Sequence, residues 1–215
     1  MITSLHHWNS KQLAALGAIT CGMSLAAMAT VVLGGCATTT PGSSPYQTPT
    51  ESDRNPLEAQ RLTNQGVACM DSDPTAAEKL FRSALTADLY CGPAHNNLGA
   101  LYLRWNSPRL YEAANELEWA CKLMPGNPDP RMNLAMTMEE AGRSNEAIAG
   151  YRTALEVYPG YIPAVQALTS LQLRTEKPDD SLDANLREIA LRGTTPQWRE
   201  WAKVRLTFRA DSGKQ

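Results

Sequence analysis

Hydrophobic and polar positions divide this chain into three zones. From Leu13 to Leu33 no charged residue occurs, and Ala, Leu, Gly, Met and Val dominate. From Ala37 to Pro56 large apolar residues almost vanish, and Thr, Ser and the prolines at 41, 45, 49 and 56 take over. Beyond Pro56 apolar residues return at helical spacing, and the pattern repeats. Ala113, Leu117, Ala120 and Pro125 recur 34 residues on as Ala147, Tyr151, Ala154 and Pro159. The same set stands 36 residues earlier as Ala77, Phe81, Ala84 and Leu89, and Leu98-Gly99 is echoed by Leu134-Ala135.

Packing explains that spacing. Small residues (Gly99, Ala135, Ala113, Ala147, Ala120, Ala154) suit places where two helices approach closely. Large ones (Tyr102, Met138, Phe81, Leu117, Tyr151) fill the space between layers. Proline, lacking an N–H, ends each second helix. A 34-residue period with small residues at fixed offsets resembles the tetratricopeptide repeat, TPR, in which each unit is a helix, a turn and a second helix. The resemblance implies an all-α, right-handed TPR-like superhelix.

Three repeats are expected at 58–91, 92–127 and 128–161, with a partial one at 162–175, all within a repeat region of 57–175. In the first, either Gly66 or Thr63 could take the close-packing position. The middle repeat carries two extra residues near Asn106-Ser107-Pro108, in its inter-helix turn, which surface loops tolerate cheaply. Residues 176–210 predict a degenerate second helix (Asp183 to Leu191) N-capped near Ser181, then a closing helix with Trp198, Trp201, Val204 and Phe208 on one face. A solenoid needs such a cap over its last apolar layer. Residues 211–215 read as a disordered tail.

Composition narrows the function. The net charge of −2 gives no basic excess to attract nucleic acid. No catalytic constellation is visible. Of the 3 His, His6 and His7 lie in the leader and His95 stands alone, so neither a metal site nor a cofactor is expected. No phosphate loop or nucleophile elbow occurs. Glu139-Glu140 are adjacent helix residues that point in different directions.

The uncharged zone reads as a secretory signal, residues 1–35, or alternatively as an uncleaved membrane helix, since about 20 apolar residues span a bilayer. Its end, Leu33-Gly34-Gly35-Cys36, resembles the lipobox of bacterial lipoproteins. That resemblance implies lipidation of the Cys36 thiol and cleavage before it. Ala37 is not the Asp of that family's inner-membrane retention signal, which favours the outer membrane. The expected location is the cell envelope, lipid-anchored and facing the periplasm. Residues 36–56 then form a tether reaching roughly 60 Å if extended at about 3.1 Å per residue.

Once Cys21 leaves with the signal and Cys36 is acylated, Cys69, Cys91 and Cys121 remain. In a TPR layout Cys91 and Cys121 fall at adjoining helix ends and could form a disulfide. The alternative is that both are small buried apolar residues. Cys69 is expected to be a buried thiol.

The same layout implies that first helices line a concave groove for extended peptides or partner helices. By register the second repeat presents Asn96, Asn97, Ala100, Leu103 and Arg104, and the third Met132, Asn133, Met136, Glu139 and Glu140. Asn97 and Asn133 match in register and could bond both the N–H and C=O of a bound strand. Asn96 and Met132 stand where chaperone-type TPR domains carry carboxylate-clamping lysines, which argues against that ligand class. The expected function is a non-enzymatic adaptor or scaffold for other proteins in a pilus, secretin or cell-wall assembly, with no small-molecule substrate. The alternatives are a self-associating structural lipoprotein and an accessory subunit that recruits substrate to an enzyme.

Overall fold

A computed structural model describes residues 51–105 and 107–212. The leader, Cys36, the tether up to residue 50 and the last three residues of the tail lie outside the described residues. After a short 3-10 turn, nine α-helices follow among the described residues: α1 (Pro56–Cys69), α2 (Pro74–Ala87), α3 (Gly92–Leu103), α4 (Leu110–Leu123), α5 (Pro128–Glu140), α6 (Ser144–Val157), α7 (Ile162–Arg174), α8 (Leu182–Arg192) and α9 (Pro196–Ser212). The architecture is all-α.

Local chemistry sets the helix ends. The side-chain oxygens of Asn55 and Asp73 accept from the Glu58 and Ala76 N–H groups, and a proline follows each cap as the first helical residue. Pro125 and Pro159 each stand one residue past the C-cap of α4 and α6. The α5–α6 turn places Gly142 at φ +76, and the α7–α8 turn uses the same left-handed region at Glu176, φ +53. Ser181 starts α8 without a side-chain cap. Its hydroxyl donates instead to Asp179 (2.5 Å) and accepts from Asn185 (3.1 Å).

Helices pack in consecutive pairs, and the pairs stack. In the first two pairs a small residue on the first helix faces a large one on the second. A Cβ built on Gly66 would stand 2.5 Å from the Phe81 ring, and one on Gly99 would stand 2.6 Å from Leu117 Cγ. Gly66 is thus the close-packing residue of the first pair. Thr63, also buried, returns its hydroxyl to the Ala59 carbonyl (2.7 Å). In the third pair Ala135 packs in one cluster with Tyr151. The core runs along the stack through clusters around Phe81, Leu98 and Leu117, then Tyr151, Leu168 and Leu171, then Leu182, Leu186 and Ile189.

The closing helix seats differently from the sequence expectation. Trp198, Trp201, Ala202 and Leu206 pack on the last cluster, whereas Val204 and Phe208 are 41% and 70% exposed. At about 100° per residue, position 204 lies some 240° around from 198, while 202 and 206 stay beneath it. Trp201 also carries the Arg205 guanidinium, 4.1 Å above its ring.

Two carboxylates tie loops to the stack. Asp88, buried in the α2–α3 turn, accepts from Arg54 at 2.9 and 3.2 Å, and the Asn55 N–H donates to the Ala87 carbonyl (2.8 Å). Arg54 also lies over the Tyr90 ring. The hydrogen bond from Arg54 holds Asp88 below the usual carboxylate range. Burial alone would raise Asp179, but donors from Ser181, Arg152 and Gln172 outweigh it and bring it to about 2. Both groups are depressed in the folded state, so their stabilisation is present at neutral pH and is lost as pH falls through the folded values. Asp179→Asn should therefore remove about 1–2 kcal/mol at pH 7 and nearly nothing at pH 2. Chemical denaturation at the two pH values checks this.

Candidate functional site

The first helices α1, α3 and α5 lie against one another along one side of the stack. Between α5 and α7 the backbones are spaced wider, and a cleft of about 340 Å³ opens. Met132 and Met136 of α5 form one wall, Pro163, Ala167 and Ser170 of α7 the other, and Thr194 and Trp198 close the end. Its size is at the low end for ligand pockets, which run roughly 300–1,000 Å³.

The residues expected in the groove divide into three groups. Met132, Met136, Glu139 and Glu140 converge on the cleft. Asn96, Asn97 and Ala100 of α3 and Asn133 of α5 are half-buried. Here the Asn133 amide donates to Asn96 Oδ1 (3.1 Å), so Asn133 pairs with Asn96 across the two helices rather than standing free beside Asn97. Arg104 is exposed and pairs with Asp71 (2.8 Å) at a separate cleft of about 410 Å³, which Met70, Pro74, Leu101 and Trp105 also line.

Two members of the expected set have other roles. Leu103 is not a groove residue; it is 7% exposed and packs in the cluster of Leu98 and Leu117. Trp105, in the longer α3–α4 connection, packs on the same cluster. Glu139 is tied up within the protein. It accepts from the Tyr151 hydroxyl (2.6 Å) and from Arg174 (2.5 Å), and so joins α5, α6 and α7. Burial, then Glu139, pushes the Tyr151 hydroxyl up in pKa, which keeps it a donor. Glu140 is exposed, and no ion pair to it is seen among the described residues.

Most of the far wall was not read from the sequence. Gln166 and Ser170 occupy the places of Met132 and Met136 one repeat on, so the 34-residue register would have found them. Trp198 has no such signal, because α9 lies beyond the last recognisable repeat. Gln166 is 3% exposed. Its Oε1 accepts from the Thr194 N–H (3.3 Å), while its Nε2 is buried without a partner. An unsatisfied buried donor costs on the order of 1–3 kcal/mol.

Cys69, Cys91 and Cys121 are free thiols, without the Cys91–Cys121 bond that the sequence left open. The two sulfurs face opposite neighbours. Cys91 Sγ sits 3.7 Å from the Thr63 hydroxyl of α1, while Cys121 lies on α4 in the field of Arg131 from α5, its thiol pushed up by burial. Cys69 is half-buried rather than buried. His95 is 3% exposed, with both ring nitrogens bonded, to Glu116 (2.6 Å) and the Leu89 carbonyl (2.9 Å). Among the described residues no group of His, Cys, Asp and Glu could hold a metal ion, and no helix is long and apolar enough to cross a membrane.

Stacked helix pairs with small-to-large seams and an inner row of first helices define a helical-repeat protein. No family model matches the sequence, and no curated protein does. Solved structures do match. The first TPR of Spaghetti (RPAP3), bound to an HSP90 peptide, is 17% identical, with a TM-score of 0.53 over 58% of this chain and 98% of that one. MamA from Desulfovibrio magneticus RS-1 is 18% identical, with a TM-score of 0.51 over 60% of this chain and 71% of that one. A mutant O-GlcNAc transferase of Thermobaculum terrenum is 21% identical, with a TM-score of 0.55 over 67% of this chain and 26% of that one. The fold is that of the tetratricopeptide repeat.

Proposed function

We propose that this chain is a non-enzymatic adaptor that binds an extended segment of another protein along the inner faces of α3, α5 and α7. The cleft between α5 and α7 carries the reading: it is concave, largely apolar and set on rigid helices. The Spaghetti domain of the same fold is bound to a peptide. A fold supports many functions, so the site rather than the likeness is the warrant.

The adaptor works at the cell envelope, held by lipid on Cys36 and carried off the membrane by the Pro/Thr/Ser-rich stretch that follows. It serves an assembly such as a pilus, secretin or cell-wall machine. The Leu33-Gly34-Gly35-Cys36 motif supports the anchor, which two or more acyl chains would make stable.

In-cell photo-crosslinking tests both parts. A photoreactive residue at Ser170, inside the cleft, should capture defined envelope proteins, whereas one at the exposed Tyr111 should not. Cys36→Ser should abolish both acyl labelling and these captures. Equal capture from both positions defeats the groove reading. An acyl-labelled Cys36→Ser chain defeats the anchor.

A further inference from the structure

The cleft has a chemical bias that its shape alone does not reveal. Its lining includes two carboxylates, Glu139 and Glu140, and the indole of Trp198, but no lysine or arginine. Arg174 neutralises Glu139 from outside the cleft (2.5 Å), which leaves Glu140 as the uncompensated charge at the rim. Deeper in, Met132 and Met136 give an adaptable apolar wall. Gln166 also lines the cleft, and its Nε2, covered in the unbound chain, has no partner among the described residues. Apolar wall, unused donor and rim carboxylate together describe a ligand: a large apolar side chain, a backbone carbonyl beside it, and a positive charge just outside.

We propose that the α5–α7–α9 cleft is a specificity pocket for an extended partner segment with one large apolar side chain and a lysine or arginine close by. The apolar side chain enters between Met136, Ala167 and Trp198. Gln166 Nε2 donates to the carbonyl of that anchor residue. The basic side chain reaches Glu140, and acidic segments are repelled. Successive side chains of a strand alternate in direction at roughly 3.3 Å per residue, so the basic residue falls one to three positions from the anchor. This assignment rests on the groove reading above and adds the sequence character of the partner.

The probe is a displayed library of random peptides, selected on the full chain in detergent. Recovered peptides should share an aliphatic or aromatic residue with Lys or Arg within about three positions. Filling the cleft by Ala167→Trp should weaken them at least about 10-fold. Glu140→Lys should weaken them about 3-fold, and less in high salt, as a rim ion pair does. Gln166→Met should weaken binding about 5-fold while changing the melting temperature little, because removing the orphaned donor offsets the bond given up to the Thr194 N–H. A merely structural Gln166 would move both in the same direction. Glu140→Lys lies on the surface and keeps the test valid should Ala167→Trp fail to fold.

Recovery of acidic peptides, or of none, overturns the proposal. So does binding indifferent to Ala167→Trp and Glu140→Lys. If such indifferent peptides are still lost on Asn97→Ala, the groove reading stands and only the pocket falls. Crosslinks spread equally over Ser170 and Tyr111 would remove both.

Discussion

Tyr151→Ala should lower the free energy of unfolding by about 3–5 kcal/mol, the cost of emptying a large aromatic site in a packed core. Tyr151 is 1% exposed and packs with Ala135, Ala147, Ile148, Leu168 and Leu171, residues drawn from α5, α6 and α7. No neighbour is free to collapse into the vacated space, because each already belongs to the seam between two layers. The substitution also removes one of the two donors to Glu139, the Tyr151 hydroxyl (2.6 Å), and leaves it Arg174 alone. Tyr151→Phe separates the two effects and should cost only about 1 kcal/mol. In a solenoid, stability is a sum of repeat and interface terms, so Tyr151→Ala should also split unfolding into two transitions. Denaturant titration followed by circular dichroism reads both. A single transition with a midpoint near the parent's would show that this seam does not couple the layers.

Gly99→Val should cost about 3 kcal/mol, against the usual sign for a glycine inside a helix. Replacing a helical glycine by alanine ordinarily gains about 0.5–1 kcal/mol of backbone entropy and propensity. At Gly99 a Cβ would lie 2.6 Å from Leu117 Cγ and 3.1 Å from the Ala113 carbonyl oxygen. The carbonyl belongs to the α4 backbone and cannot rotate away, so α3 and α4 must move apart. Overpacking of this kind costs roughly 1–3 kcal/mol, and the branched Val side chain adds to it. Gly126→Ala is the control. A Cβ there meets nothing within 4 Å, and the substitution should be neutral or slightly stabilising. Thermal melts of the two variants beside the parent decide the matter, and a Gly99→Val chain as stable as Gly126→Ala would contradict the close approach.

The seam was legible in the sequence because it is built from repeated geometry. Small residues at 99 and 135, and large ones at 81, 117 and 151, recur wherever two helices cross in the same way. The cleft was only half legible. Its α5 wall followed from register, but its closed end comes from Trp198, on a helix whose sequence has drifted from the repeat. Leu103 and Glu139 show the other limit. Register places a residue on a helix face, but what covers that face depends on neighbours far along the chain. Leu103 packs in a cluster that Trp105 joins from a connection the repeat pattern does not describe, and Glu139 is held by Tyr151 and Arg174 from two other helices. The cysteine pairing stayed open for a related reason: the helix ends do adjoin, but which way each thiol turns depends on its partners, Thr63 for one and the Arg131 side for the other.

The clasp at the entrance of the stack has a mechanical consequence. Arg54 and Asn55 do not hang from α1 alone; they are fastened to Asp88 and Ala87, across the corner between the first and second helix pairs. A pull from the amino-terminal side therefore loads that corner in shear instead of unzipping α1 one turn at a time. Contacts loaded together resist in parallel, so a load that enters at Arg54 and Asn55 is met at this corner, and the far end, where the cleft lies, keeps its shape.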